Sequence, residues 1–140
     1  MNYLHGYHAG NFADVLKHIV LHYLIGAMQR KDKPFLYLDT HAGRSVYDLR
    51  GPESQKTQEW QAGIARLKSL SNAPAPIASF AELMDKFNRE RGQVDWRYYP
   101  GSPEIVARQL RLNDRAVFCE INEAEAKALN NYLASFSRTH

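Results

Sequence analysis

Residues 35–43 read Phe-Leu-Tyr-Leu-Asp-Thr-His-Ala-Gly, and this stretch decides the fold. A turn of Lys, Asp, Lys and Pro precedes it, and its apolar run ends at Asp39. Because apolar residues point to both faces, the stretch predicts a buried strand of a parallel sheet. In open α/β sheets, ligands bind beyond the carboxyl ends of the strands. Asp39, His41 and Gly43 suit that place through their polar groups and close backbone approach, although the pattern also fits ordinary turn chemistry.

The composition is that of one folded domain, or part of one. The chain has 140 residues, of which 44% are hydrophobic and 24% charged. Its net charge of +3 favours a polyanionic partner without identifying one. The single cysteine, Cys119, excludes a disulfide framework and a cysteine-based zinc site. No apolar run reaches the ~20 residues that span a bilayer, and the first residues do not resemble a signal peptide. We therefore expect a cytoplasmic protein.

Helical and strand patterns alternate along the chain, which predicts an α/β fold. A loop rich in histidine and aromatic residues leads to Asn11, a good N-cap for the first helix. Residues 44–52 are turn-rich and polar. The helical patterns cover residues 12–29, 57–70, 77–91 and 123–135, and a second buried strand is expected at 116–120. The two middle helices predict a small helical insertion subdomain over about residues 46–95.

Two further features place ligand-binding groups near the end of the first strand. Ser102 and Pro103 begin a helix expected to reach about Leu112, with Ser102 as N-cap, and the N–H groups at such an end bind anions. Glu120 ends the second strand, where an acid commonly takes ribose hydroxyls in nucleotide folds. Together they predict a nucleoside-binding half-fold, although capped helices and strand-end acids also occur without a ligand.

The N-terminal region allows two other kinds of site. His18 and His22 have the spacing of a zinc pair, but the Ile-Val-Leu between them offers no general base, so a metallohydrolase is weakly supported. No serine stands in a nucleophile elbow. RNA binding by stacking and phosphate contact is a further alternative, and an ordinary basic surface explains the same residues. The residues concerned are Tyr3, Tyr7, Lys17 and Arg44.

Three long strings carry a family resemblance that covers essentially the whole chain. Residues 3–18 read Tyr-x-His-x-x-His-Ala-Gly-Asn-x-Ala-Asp-Val-Leu-Lys-His, residues 31–43 read Lys-Asp-Lys-Pro followed by the strand above, and residues 97–103 read Arg-Tyr-Tyr-Pro-Gly-Ser-Pro. These strings resemble the bacterial large-subunit ribosomal RNA adenine-N6-methyltransferases. The resemblance implies a Rossmann-like fold with a helical insertion, S-adenosylmethionine as cofactor, and an adenine amino group of ribosomal RNA as target.

The resemblance also implies roles for seven residues. Cofactor contacts are matched by His18, His41, Ser102 and Glu120. The side of the site that receives the target adenosine is matched by Tyr3, His5 and Lys17. The implied partner is large-subunit ribosomal RNA, protein-free or in early assembly, and the implied state is a monomer without a metal or membrane contact.

One motif of the family is missing. Nothing in residues 1–140 matches its catalytic Asp-Pro-Pro-Tyr, nor its second cofactor acid at the adenine end. Adenine's amino group is a poor nucleophile because its lone pair is delocalised, and that motif accepts its hydrogens and stacks on the flipped-out base. We expect the catalytic Asp beyond residue 140, and the chain, as a fragment or truncated relative, to be inactive alone. The alternative from another class is a non-catalytic RNA-binding or ribosome-assembly module.

Overall fold

The computed structural model describes residues 3–136, so the first two residues of the predicted N-terminal loop lie outside it. The fold is mixed α/β. Its helices are α1 (Phe12–Met28), α2 (Pro52–Thr57), α3 (Ile64–Lys68), α4 (Ala75–Arg89), α5 (Ser102–Ala107) and α6 (Glu123–Ala134). Its strands are β1 (Leu36–Asp39), β2 (Val46–Asp48), β3 (Tyr98–Pro100) and β4 (Arg115–Phe118). No helix in this part of the chain is long and apolar enough to cross a membrane.

The strands form two separate pairs. β1 and β4 pair in parallel, from Leu36 opposite Arg115 to Asp39 opposite Phe118, which agrees with the two predicted parallel strands. β2 and β3 pair antiparallel. The predictions that β1 is buried on both faces and that β4 is a buried strand are wrong. Val117 of β4 is 46% exposed. Leu36 and Leu38 are 65% and 59% exposed, because no other element within residues 3–136 covers that face.

The loops that lead into β1 and β4 are tied together by charged side chains. Asp114, which is buried, accepts a hydrogen bond from the backbone N–H of Phe35 at 3.3 Å. Its carboxylate also forms an ion pair with Arg111 at 3.0 Å. Arg111 also donates to the backbone carbonyls of Lys31 and Lys33, both at 2.9 Å. These bonds set the two parallel strands side by side.

The long helix α1 agrees with its predicted position. The Asn11 side chain accepts a hydrogen bond from the Asp14 N–H at 2.9 Å, as expected of an N-cap. One face of α1 is buried through Val15, His18 and Ile25. A second stripe, at intervals of four residues, is apolar but exposed, and it consists of Phe12, Leu16, Val20, Leu24 and Met28.

The hydrophobic core lies between α1, α4, α5 and the β2–β3 pair. Its fully buried members include Phe80, Met84, Tyr99 and Ile105. Asn88 near the end of α4 accepts a hydrogen bond from the Tyr98 N–H at 2.8 Å and donates to the Tyr98 carbonyl at 2.9 Å. The buried amide thus fixes the first residue of β3 to α4.

The single helix predicted at 57–70 is wrong, because the chain is interrupted there. α2 ends at Thr57, and its C-cap residue Gln58 is left-handed. A 3-10 turn follows at Glu59–Gln61, and α3 begins after Gly63. A Cβ atom on Gly63 would lie 2.1 Å from the Gly10 carbonyl oxygen, which also accepts the N–H of Ile64. The N-terminal loop therefore occupies the space that a continuous helix would need.

Two more local predictions differ from the structure. Residues 44–52, predicted as turns, contain β2. The helix expected to reach about Leu112 ends at Ala107, and its N-cap is Gly101 instead of Ser102. The short α5 has no side-chain cap, and its six residues limit the dipole that was expected to attract an anion. The limits of the helical insertion, at about 46–95, stay a prediction.

Candidate functional site

A cleft of about 640 Å³ opens at the carboxyl ends of β1 and β4. All seven residues predicted for the site line it: Tyr3, His5, Lys17, His18, His41, Ser102 and Glu120. They come from an N-terminal 3-10 turn (His5–Tyr7) and the residues before it, α1, the loop after β1, the start of α5 and the loop after β4. The volume lies in the range of small-molecule and cofactor sites. The cleft is at the sheet edge where the strand patterns predicted a ligand, and the individual roles of the seven residues stay predictions.

Asp39, at the end of β1, joins the two walls of the cleft. Its Oδ2 accepts the Ser102 hydroxyl at 2.6 Å and the Tyr37 hydroxyl at 3.1 Å. Its Oδ1 accepts the backbone N–H of His41 at 3.1 Å. The Ser102 hydroxyl is therefore held by the strand acid instead of capping its helix. The Asp39 carboxylate thus orients both His41 and Ser102, which are 61 positions apart in the sequence. Sequence reasoning had given Asp39 only a general role at the rim.

Glu120 is held in the cleft by backbone groups. Its carboxylate accepts the N–H of Gly43 at 2.8 Å and that of Asn122 at 2.7 Å. A carboxylate has about four acceptor positions, so these two bonds fix its orientation and leave acceptors for ligand hydroxyls. Gly43 has φ +64°, and a Cβ atom there would lie 2.4 Å from the Tyr47 hydroxyl. This position requires glycine because the turn is both left-handed and crowded.

His18 is a buried, neutral wall of the cleft. It is 1% exposed, and its Nδ1 lies 2.8 Å from the hydroxyl of the fully buried Tyr99. Burial lowers the pKa of His18 to about 3, although the charge of Asp14 acts in the opposite direction. Its Nε2 is buried, forms no hydrogen bond with the described residues, and lies 3.7 Å from Asp14 Oδ1. The cofactor contact expected of His18 stays a prediction.

Asp14 links both sides of the site and was not among the predicted residues. It is 4% exposed, and its Oδ2 accepts His5 Nε2 and the N–H of Gly10, both at 3.0 Å. Its Oδ1 lies 2.8 Å from Lys17 Nζ and 3.7 Å from His18 Nε2. Burial raises the pKa of Asp14, but the His5 hydrogen bond and neighbouring charges outweigh it and hold that pKa below its usual range. The only signal for Asp14 in the sequence is that it is an acidic residue in the first turn of the predicted helix α1.

The Arg44 side chain binds carboxylates of the protein. Its Nε donates to Glu125 Oε2 at 2.8 Å, its guanidinium pairs with Glu53 at 3.0 Å, and it lies 5.7 Å from the Tyr47 ring centroid. Burial raises the pKa of Glu125, but the Arg44 hydrogen bonds outweigh it and hold that pKa below its usual range. The expectation that Arg44 contacts RNA phosphate is therefore not supported. Instead, Arg44 fastens α6 and α2 to the cleft, which no sequence motif indicated.

Tyr3 is the tyrosine that the structure presents at the mouth of the cleft. It is 63% exposed, its ring stacks on His8 at 5.4 Å and 7°, and its hydroxyl lies 2.9 Å from His5 Nδ1. An adjoining groove of about 330 Å³ shares Tyr3, His5 and Lys17 with the main cleft. Tyr7, the other candidate for stacking, is half-buried, with Lys56 Nζ 5.7 Å from its ring centroid. An exposed aromatic face next to a lysine suits a nucleotide base and its phosphate.

The histidine pair of the metal alternative does not converge. His22 contacts Ser79 of α4 at 2.9 Å, whereas His18 contacts Tyr99. Among residues 3–136, no group of three or more His, Cys, Asp or Glu side chains is placed to hold a metal ion. His22 thus serves the packing of α1 on α4.

The chain is similar to named methyltransferases. It is 44% identical over 131 residues to the ribosomal RNA large subunit methyltransferase J of Haemophilus influenzae, a match that covers 94% of this chain and 46% of that protein. The protein of that name from Escherichia coli K12 is 41% identical over 138 residues, covering 99% of this chain and 48% of its own length. The chain thus spans about half the length of these curated relatives.

A solved structure and a family model agree with these matches. The crystal structure of a Legionella pneumophila protein, assigned to the family model DUF519, superposes with a TM-score of 0.76 at 39% identity, over 87% of this chain and 43% of that one. The model described as ribosomal RNA large subunit methyltransferase D, RlmJ, matches residues 32–140. From the sequence match and the cleft at its strand ends, we conclude that the chain belongs to this family of ribosomal RNA large subunit methyltransferases.

Proposed function

We propose that this chain forms the cofactor-holding and target-receiving part of a Rossmann-like enzyme. The enzyme transfers a methyl group from S-adenosylmethionine to the N6 amino group of an adenine in large-subunit ribosomal RNA. The observation that carries the proposal is the convergence of seven residues, from five parts of the chain, on one cleft. The family's named relatives act on ribosomal RNA. The proposal includes S-adenosylmethionine as the cofactor, the N6 position as the target and a cytoplasmic location.

The residues of the cleft fit the chemical groups of S-adenosylmethionine. The Glu120 carboxylate retains acceptor positions for ribose hydroxyls, and the left-handed Gly43 lets its backbone approach closely. His18 lines the same cleft, and its Nε2 forms no hydrogen bond with the described residues. Bound there, the cofactor supplies an activated methyl group on a sulfonium sulfur.

The target adenine is received on the side formed by Tyr3, His5 and Lys17. Tyr3 offers a ring face for stacking, and Lys17, whose side chain is 58% exposed, offers a cation for the RNA backbone. His5 Nε2 lies 3.0 Å from the Asp14 carboxylate, and its Nδ1 lies 2.9 Å from the Tyr3 hydroxyl. This chain of bonds fixes the Tyr3 ring at the mouth of the cleft. The groups that accept the hydrogens of the adenine amino group are expected outside this chain, so we expect the 140 residues alone to bind without methylating.

Calorimetric titration with S-adenosylhomocysteine tests the cofactor part. The 140-residue chain should bind it, and Glu120→Ala should weaken binding about tenfold or more, since a hydrogen bond to a charged group contributes about 1.5–3 kcal/mol. Glu123→Ala is the matched control, because Glu123 is exposed, carries the same charge and does not line the cleft. Its affinity should equal that of the unchanged chain.

The alternative class gives the opposite result. A non-catalytic RNA-binding module would ignore S-adenosylhomocysteine and bind RNA with a steep dependence on salt. A folded chain with no heat of binding for S-adenosylhomocysteine, or equal effects of Glu120→Ala and Glu123→Ala, would refute the proposed cofactor site.

A further inference from the structure

The groove of about 330 Å³ that adjoins the cleft has a lining of its own. Tyr3, His5 and Lys17 line both spaces and form their common wall. The groove also follows the loop before α1 and the first turn of that helix. The residues that line the groove but not the cleft are His8, Asn11, Ala13 and Asp14. We call this space the side groove, and its volume lies at the lower end of the range for small-ligand sites, about 300–1,000 Å³.

A stacked pair of rings links the cleft to the side groove. The centroids of the Tyr3 and His8 rings are 5.4 Å apart, and their planes differ by 7°. Tyr3 lines both spaces, whereas His8 lines only the side groove. The His8 side chain is 38% exposed, so part of its ring is open to a ligand. Histidine is one of the aromatic side chains on which RNA-binding proteins stack unpaired bases.

Glu59, which does not itself line the side groove, holds two of its polar side chains in place. The Glu59 Oε2 lies 2.9 Å from His8 Nδ1 and accepts a hydrogen bond from Asn11 Nδ2 at 2.9 Å. Asn11 Oδ1 accepts the Asp14 N–H at 2.9 Å, so both ends of the Asn11 amide are fixed. Side chains oriented in advance lose little freedom when a ligand binds. The second Nδ2 hydrogen of Asn11 and the Nε2 of His8 form no hydrogen bond within residues 3–136, which leaves them for the edge of a base.

The covalent continuity of RNA connects the two spaces. A target adenosine that enters the cleft beside Tyr3 and Lys17 stays joined to its neighbours in the strand by phosphates. A strand that leaves the cleft on that side meets the side groove, because the same residues line both spaces. Lys17 Nζ lies 2.8 Å from Asp14, but its side chain is 58% exposed and an ammonium has three hydrogens. Lys17 can therefore also bind the phosphate between the two nucleotides.

We propose that the side groove binds the nucleotide next to the target adenosine in the RNA strand. The base of that nucleotide stacks on the His8 ring, and its edge meets Asn11 Nδ2 and His8 Nε2. Stacking accepts every base, so the two polar groups decide which neighbour is preferred. The side groove thus gives the chain a contact with the sequence context of its target. This inference rests on the proposed function, since it takes the cleft as the place of the target adenosine.

Removal of single bases from an RNA probe measures this contact. The complete probe is a pentaribonucleotide with adenine at its centre and uracil elsewhere. Two further probes lack the base immediately before or immediately after the adenine but keep every phosphate. In NMR titrations of the 140-residue chain, one of these two abasic probes should bind at least about fivefold more weakly than the complete probe, since stacking of one base contributes that much or more. All three probes carry the same charge, so the difference does not come from phosphate contacts.

Two variants and a matched control assign the contact to His8. His8→Ala should weaken binding of the complete probe about fivefold and abolish the difference between the probes, because the base then has no ring to stack on. His8→Phe keeps a ring and should keep a difference of about threefold or more. Tyr23→Ala changes an aromatic residue of α1 that is 49% exposed and lines neither space. It should leave all three dissociation constants unchanged.

Several results would overturn the proposal. One is equal binding of all three probes, or no binding of the complete probe, by the unchanged chain. Another is a difference between the probes that persists in His8→Ala, or that Tyr23→Ala abolishes as well. Titration of the unchanged chain with S-adenosylhomocysteine separates this inference from the proposed function. A chain that binds S-adenosylhomocysteine but does not distinguish the probes refutes the side groove alone, whereas a folded chain that fails to bind S-adenosylhomocysteine refutes the proposed cofactor site.

Discussion

Replacing Asp14 by Asn tests whether this buried carboxylate holds the N-terminal part of the site together. Asn can keep one acceptor at the position of Oδ2, but it removes the charge from the bonds to His5 and Gly10 at 3.0 Å. It also turns an N–H₂ group toward the ammonium of Lys17. The change thus weakens two hydrogen bonds and abolishes one ion pair.

The magnitude follows from the burial of each contact. Hydrogen bonds to a charged group contribute about 1 kcal/mol more than neutral ones, and two of them are affected. Lys17 has a side chain that is 58% exposed, so its ion pair adds only about 0.5 kcal/mol. Asp14→Asn should therefore lower the free energy of unfolding by about 2–3 kcal/mol at pH 7. Lys17→Met, which removes only the exposed partner of the ion pair with Asp14, should lower the free energy of unfolding by less than about 1 kcal/mol.

The loss should also depend on pH in a defined direction. The pKa of Asp14 is lowered in the folded state, so its charge stabilises the fold above the ordinary carboxyl range near pH 4. As the pH falls through the folded-state pKa, the carboxyl is protonated and resembles Asn. Urea unfolding followed by circular dichroism at several pH values between 7 and 3 measures the difference between the two proteins. A difference below 1 kcal/mol at pH 7, or one that grows as the pH falls, would refute the reasoning.

Three further predictions concern the cleft. Gly43→Ala should destabilise the fold by more than about 2 kcal/mol, whereas Gly92→Ala, at a similar φ of +69° but in open space, should cost only about 1 kcal/mol; equal losses in urea unfolding would contradict this. The His18 ring should not titrate in NMR spectra between pH 8 and 5, because burial lowers its pKa to about 3. The free energy of unfolding should therefore lose no contribution from His18 above pH 6.5 and should fall as the pH is lowered towards 3, since the unfolded state then binds the proton that the folded state excludes. An NMR titration midpoint of His18 above pH 5 would contradict this. Ser102→Ala removes the 2.6 Å bond to Asp39, so it should cost about 1–2 kcal/mol and weaken S-adenosylhomocysteine binding, while Ser102→Thr should retain both; calorimetry would reject the role if Ala and Thr behaved alike.

Local sequence signals predicted the elements whose causes are local. Asn11 and the apolar spacing after it fixed where α1 begins, and the run before Asp39 indicated β1 in parallel with β4. Where a distant segment intervened, prediction failed. The helix expected at 57–70 is interrupted because the Gly10 carbonyl lies against Gly63, and Ser102 lost its capping role to the carboxylate of Asp39.

Residue types and long strings of neighbours were enough to name the site residues from the sequence, and their chemical roles stay predictions. The positions of Tyr3, Lys17, His41 and Glu120 in the cleft could be predicted in this way. What the tertiary structure alone decided is which groups hold them. Asp14 binds residues up to nine positions away, and Arg44 joins Glu125 across 81. Such pairings leave no periodicity or motif because they arise only when the chain folds. The burial that shifts the pKa of His18, and the solvent that reaches one face of the β1–β4 sheet, depend in the same way on elements distant in the sequence.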